Sequence, residues 1–153
     1  MKRYICAFTL MAFVACGCAG LLTNGREDQT GPAIQSAEAR KLLENHKYAE
    51  SIVAFQKIIK EYPNSDWAAN AIYSIATAFV SVQNPHRDYT QALTHFEEFL
   101  YQYPQHRHAT DAKNWRQAIK VILDAKKENE RLLKNIEQLK QLDMRQEQKR
   151  LGR

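Results

Sequence analysis

The sequence predicts an all-α fold, a short solenoid of helical hairpins followed by a long C-terminal helix, on three observations. The first is an internal repeat: YAESIVAFQKIIKEYP, from Tyr48 to Pro63, returns as YTQALTHFEEFLYQYP, from Tyr89 to Pro104, at a constant offset of 41 residues. Ile52 aligns with Leu93, Phe55 with Phe96, Ile58 with Phe99 and Ile59 with Leu100. Apolar groups at i, i+3, i+4 and i+7 make one stripe on each helix, and the closing prolines cannot extend it. The second is a small residue ahead of each copy, Ala39 in A-x-x-L and Ala76 in A-x-x-F, which lets a preceding helix cross closely. The third is the absence of Pro and Gly from Gln105 to Leu151, in a segment rich in Glu, Lys, Gln and Leu.

From Ala39 to Ser51 is 12 residues and from Ala76 to Ala92 is 16, so the second hairpin carries four extra residues near Gln83-Asn84-Pro85-His86. The Y-x-x-A/S-x-x-x-F helix with its closing Y-P resembles the tetratricopeptide repeat. The Y-P-x-S and F-L-x-x-Y-P endings are similar to those of outer-membrane assembly lipoproteins of the BamD (YfiO) type. That resemblance implies a part in assembling outer-membrane barrel proteins by holding other subunits of a machine. The chain departs from that family in size, with two repeats and the start of a third.

Taken in order, MKRYICAFTLMAFVACGCAG has a basic start, an apolar run and then small residues around cysteine, which is the pattern of an exported signal too short to span a membrane stably. It resembles the bacterial lipoprotein signal, which implies a segment 1–15 that is removed and lipidation at Cys16, with Cys18 as the alternative. No Asp follows either cysteine, and the usual sorting preference then implies the outer membrane, with the protein facing the periplasm. More than one acyl chain would hold it there firmly. No cysteine follows Cys18, so disulfides do not staple the fold. Residues 16–35 mix Gly, Pro, Asn, Asp and Thr and read as a tether.

The repeats are expected over 36–123, with Ser36 and Glu38 opening the first helix. Ser65 or Asp66 can cap the next, Trp67 to Val82, whose run WAANAIYSIATAFV is apolar on most sides and so fits between two neighbours. Asp88 can cap the helix after it. QHRHATDAKNWRQAIKVIL then aligns with the helix after Pro63 at the same offset, Ala109 on Ala68 and Ala112 on Ala71, and so begins a third hairpin. The charged tail, 124–153, places Leu132, Ile136, Leu139 and Leu142 on one side, interrupted at Asn135, Asp143 and Gln146. It either caps the solenoid with its apolar face and is otherwise solvated, or pairs with a partner helix.

Charge locates no nucleic-acid site. Of the net +5, Lys2 and Arg3 lie in the signal segment, residues 16–123 hold 11 basic and 11 acidic side chains, and the remaining excess lies in the tail, nine basic against six acidic. Those charges are interleaved, and an exported lipoprotein does not meet nucleic acid routinely. Adjacent Glu97 and Glu98 point about 100° apart on a helix and make no acid–base pair. His46, His86, His95, His106 and His108 contain no i, i+4 pair for a metal, and there is no phosphate loop and no nucleophile motif. No enzyme, cofactor or small-molecule substrate is expected.

The expected function is a lipid-anchored adaptor whose hairpins offer a concave surface to protein partners of the bacterial envelope. The first helix of each tetratricopeptide hairpin lines that surface, which implies Arg40 and Glu44 from the first hairpin, Asn70, Tyr73 and Thr77 from the second, and Asn114 from the third. Tyr73 can equally be core, like Ile72 and Ile75. The ending from Leu139 to Arg150 is similar to that of small lipoproteins of the QseG kind, which implies regulation through a membrane sensor kinase as the alternative.

Overall fold

A computed structural model describes residues 31–152, which form five helices: α1 (Gly31–Glu44), α2 (Tyr48–Glu61), α3 (Asp66–Val80), α4 (Tyr89–Gln102) and α5 (Ala109–Leu151). α1 packs on α2, α2 on α3, α3 on α4 and α4 on the first part of α5, so the helices stack in chain order as two tetratricopeptide-like hairpins and the first helix of a third. The signal segment, Cys16, Cys18 and the tether up to Thr30 lie outside the described residues. No helix among the described residues is long and apolar enough to cross a membrane.

One boundary is corrected. The first helix starts at Gly31, five residues before Ser36. Proline is tolerated in a first helical turn, where its missing N–H would have had no partner, so Pro32 opens the helix instead of breaking a tether. Burial holds the extra turn, because Ala33 and Ser36 are buried and Gln35 donates from Nε2 to Glu61 Oε2 at 2.8 Å. Ser36 is therefore an interior residue of α1 and caps nothing.

The repeat alignment is visible in the packing. Phe55 and Phe96 are fully buried, as are Ile58 and Phe99, each pair on the inner face of α2 or α4. Two clusters share the work. Ala39, Phe55, Ile58, Ala71 and Ile75 fill the space among α1, α2 and α3. Ala69, Ile72, Ala76, Ala92, Phe96, Phe99, Ala112 and Ile119 fill the space among α3, α4 and α5. α3 serves both clusters from opposite sides, which is why its sequence is apolar nearly all round. Its alanines let neighbours approach closely, and Ala68, Ala69, Ala71, Ala76 and Ala78 are all buried.

Each turn is held by different chemistry. α1 ends with His46 at φ 59°, a left-handed residue that lets the Lys47 N–H reach the Leu42 carbonyl at 2.9 Å and the His46 N–H reach Leu43 at 3.0 Å. α3 and α4 start under side-chain caps, Ser65 accepting from the Ala68 N–H and Asp88 from those of Thr90 and Gln91. The four extra residues fold around Asn84, which is buried. Its Nδ2 donates to the Ala78 carbonyl and its Oδ1 accepts from the His86 N–H, both at 2.9 Å.

α5 runs unbroken for 43 residues. Ala109, Ala112 and Ile119 pack on α4, and Lys120 reaches Glu97 at 2.9 Å. Beyond Leu123 every described residue is exposed, so the tail does not cap the solenoid. The physical reason is on the helix surface: the face that carries Ala112, Ile119 and Leu123 continues as Lys126, Glu130, Leu133, Glu137 and Lys140, a mostly charged line that cannot stand in for a core.

Candidate functional site

The first helices of the hairpins, α1, α3 and α5, form one row, and the N-terminal halves of α3 and α5 carry its polar side chains. Helix periodicity puts Asp66, Asn70, Tyr73 and Thr77 along one side of α3 and Asp111, Asn114, Trp115 and Ala118 along the matching side of α5. Asp66 accepts at Oδ2 from Asn70 Nδ2 at 2.8 Å, while its Oδ1 lies 2.8 Å from His106 Nε2. Arg107 donates through Nη2 to Asn70 Oδ1 at 2.9 Å. The loop after Pro104 is thereby tied to the start of α3, with the His106 ring edge-on to Phe99 at 5.3 Å.

Tyr73 joins the two helices. Its ring is stacked on His108 at 4.4 Å between centroids and meets Phe96 edge-on at 5.9 Å, and its hydroxyl donates to the Asp111 carboxylate. Burial holds the phenol well above its usual range, and the Asp111 hydrogen bond and charge push the same way, so Tyr73 remains a neutral donor. His108 is shifted down, first by burial and then by its neighbours Arg107 and His106, so its imidazole favours the neutral form. The Tyr73 ring is thus packed between α4 and the loop before α5, while its hydroxyl reaches Asp111 at an exposed edge.

Asp111, Asn114, Trp115 and Ala118 line an open depression of about 280 Å³ beside this network. Trp115 lies nearly parallel to Phe96 at 6.2 Å and is 36% exposed, a flat aromatic surface over a buried one. The remaining expected residues sit apart. Arg40 and Glu44 are exposed on α1 and make no side-chain hydrogen bond or ion pair with another described residue. Thr77 is half-buried and donates to the Ser74 carbonyl at 2.9 Å. Asn70 and Tyr73 enter one network, Asn114 lines the depression beside Asp111 without a hydrogen bond to it, and Arg40, Glu44 and Thr77 do neither.

Sequence reasoning misses Asp66, His106, Arg107, His108, Asp111 and Trp115 as members of this surface. The signal is present in the repeat itself: an offset of 41 residues maps Asp66 onto Arg107, Asn70 onto Asp111 and Tyr73 onto Asn114. No group of three or more His, Cys, Asp or Glu side chains among the described residues has the arrangement of a metal site. What the arrangement offers is recognition: fixed donors and acceptors flanking a partly exposed indole.

The family model described as YfiO, outer membrane lipoprotein, matches residues 35–145, from the first turns of α1 to deep in the exposed part of α5. No curated protein and no solved structure matches the chain. The match takes in both hairpins, the polar network between α3 and α5 and most of the projecting helix, well over half of the sequence, and the chain belongs to the YfiO family of outer membrane lipoproteins.

Proposed function

We propose that this protein is a lipid-anchored adaptor of the outer membrane that faces the periplasm and holds a protein partner in the groove formed by α1, α3 and α5, in the assembly of outer-membrane proteins or of the envelope more widely. The observation that carries this reading is the groove wall between Asn70 and Ala118. There Tyr73, Asp111 and Arg107 are fixed by hydrogen bonds, while Asn114 and the partly exposed Trp115 are left to meet a ligand. A pre-ordered polar wall loses little side-chain freedom on binding, and an exposed indole beside it is a common anchor at protein interfaces. Arg40, Glu44 and Thr77 extend the same surface toward α1. Membership of an outer membrane lipoprotein family supports the location. Lipidation at Cys16, or at Cys18, supplies the anchor.

Site-specific photo-cross-linking in intact cells tests this. A photoreactive residue at Asn114 is expected to capture a discrete envelope protein, and one at Gln56, exposed on α2 away from the groove, is not. Equal capture from both positions, or none from Asn114, would overturn the groove as the binding surface.

A further inference from the structure

Because α5 is a single helix from Ala109, its heptad register can be counted through the whole projecting part. Alternating steps of three and four residues pick out Ile122, Ala125, Asn129, Leu132, Ile136 and Leu139, and Trp115 and Ala118 continue the same line back toward the groove. Asn135 falls beside this seam instead of within it, so the apolar line is longer than a count from Leu132 alone suggests. Asp143, Gln146 and Arg150 end it. Ile122, Leu132, Ile136 and Leu139 are 38%, 45%, 61% and 61% exposed, so nothing in the described chain covers them. The opposite side of the helix carries Lys127, Arg131, Lys134 and Arg145, a charged face suited to solvent.

We infer that this seam pairs with the seam of a second copy of the chain, as a short parallel two-stranded coiled coil in register. Asn129 chooses the occupant. It is the one polar residue among the six seam positions, and it makes no side-chain hydrogen bond with another described residue. A parallel in-register pair sets Asn129 against Asn129 of the second copy, where the amides satisfy each other, and a lone Asn at such a position fixes register and strand number. An antiparallel pair that keeps all six positions in contact sets Asn129 against Leu132, which leaves a buried amide without a partner.

The flanks agree. In the parallel pair Glu128 faces Leu133 of the other copy and Asn135 faces Lys140, with no like charges opposed. In the antiparallel pair Lys126 faces Lys140 twice over, and Glu128 faces its own copy. Eighteen residues from Ile122 to Leu139 are few for a coiled coil, so the dimer is weak in solution and gains from two chains sharing one membrane surface, which raises their effective concentration. The pairing begins at Ile122, one turn beyond Ala118 at the end of the groove wall.

Oxidative cross-linking of the full chain in its own membrane tests this, with the wild type setting the background from Cys16 and Cys18. Leu132→Cys, on the seam, is expected to give a covalent homodimer under mild oxidation. Lys134→Cys, on the charged face, is expected to give only the background, and Ile136→Asp added to Leu132→Cys is expected to abolish the dimer. All three positions are exposed, so the melting temperature of each variant should match the wild type and a folding defect would be recognised. Equal cross-linking at 132 and 134, survival of the dimer in the Ile136→Asp background, or cross-linking of Leu132→Cys only to another protein would overturn the proposal. A preference for mixed dimers between Ala125→Cys and Ile136→Cys chains, over pairs of like chains, would overturn the parallel arrangement and, with it, the role given to Asn129.

Discussion

The two hairpins carry the same core and different turns. Phe55 and Phe96 occupy equivalent, fully buried places, as do Ile58 and Phe99, yet the first hairpin turns in three residues through a left-handed His46 and the second takes eight through a buried Asn84. A further difference lies at the crossings. Ser51 is buried and donates to the Ala39 carbonyl at 2.9 Å, where the second hairpin has Ala92 against Ala76 with no hydroxyl to satisfy. What the comparison teaches is that the repeat is defined by which surfaces must meet. A turn of any length serves if it returns the second helix at the same place, because lengthening a loop adds little entropic cost provided its backbone groups are bonded.

That comparison can be broken at its strongest point first. Phe55→Ala and Phe96→Ala should each destabilise the protein by about 3 to 5 kcal/mol, since truncating a buried Phe removes burial and leaves a cavity. Thermal or urea unfolding reads both. If the hairpins are equivalent the two losses agree, whereas a melting temperature within a degree of wild type for either variant would show that its Phe is no core residue.

A smaller effect sharpens the difference between the turns. Asn84→Ala removes the bonds to the Ala78 carbonyl and the His86 N–H inside a closed loop and should cost about 1 to 3 kcal/mol, the range for leaving a buried group unsatisfied. The long turn then depends on one side chain. An unfolding midpoint unchanged by Asn84→Ala would mean that the loop is held by its backbone bonds alone, such as that from the Asp88 N–H to the Phe79 carbonyl at 3.0 Å.

Most of the fold is legible in the repeat. Spacing of Phe55, Ile58, Phe96 and Phe99 gives buried faces, and Ser65 and Asp88 announce helix starts by their own chemistry. Gly31 to Gln35 misleads because Gly and Pro are loop residues by composition, and only the packing of Ala33 and Ser36 tells that Pro32 opens a helix here. The tail defeats pattern reading for the opposite reason. Its helix propensity is plain, but whether Leu132, Ile136 and Leu139 meet anything depends on the face that continues past Leu123, and that face is charged at all but Leu133 as far as Lys140. The polar wall is half legible: the repeat sets Asn70 and Tyr73 of α3 in register with Asp111 and Asn114 of α5, while the contacts of His106 and Arg107 depend on a loop, from Pro104 to His108, whose course no periodicity describes.

The claim that the groove holds the partner is tested most directly by changing it without disturbing the network beneath. Arg40 and Asn114 are exposed, so Arg40→Glu with Asn114→Arg should unfold as the wild type does, surface changes usually moving stability by no more than about 0.5 kcal/mol. Affinity capture from detergent-solubilised envelope, run beside wild type and beside the seam variant Ile136→Asp, separates the two surfaces. The account predicts that the groove variant loses the envelope protein cross-linked from Asn114 while Ile136→Asp keeps it. Recovery of that protein at wild-type yield by the groove variant, with loss from Ile136→Asp, would contradict it and move the binding surface to α5.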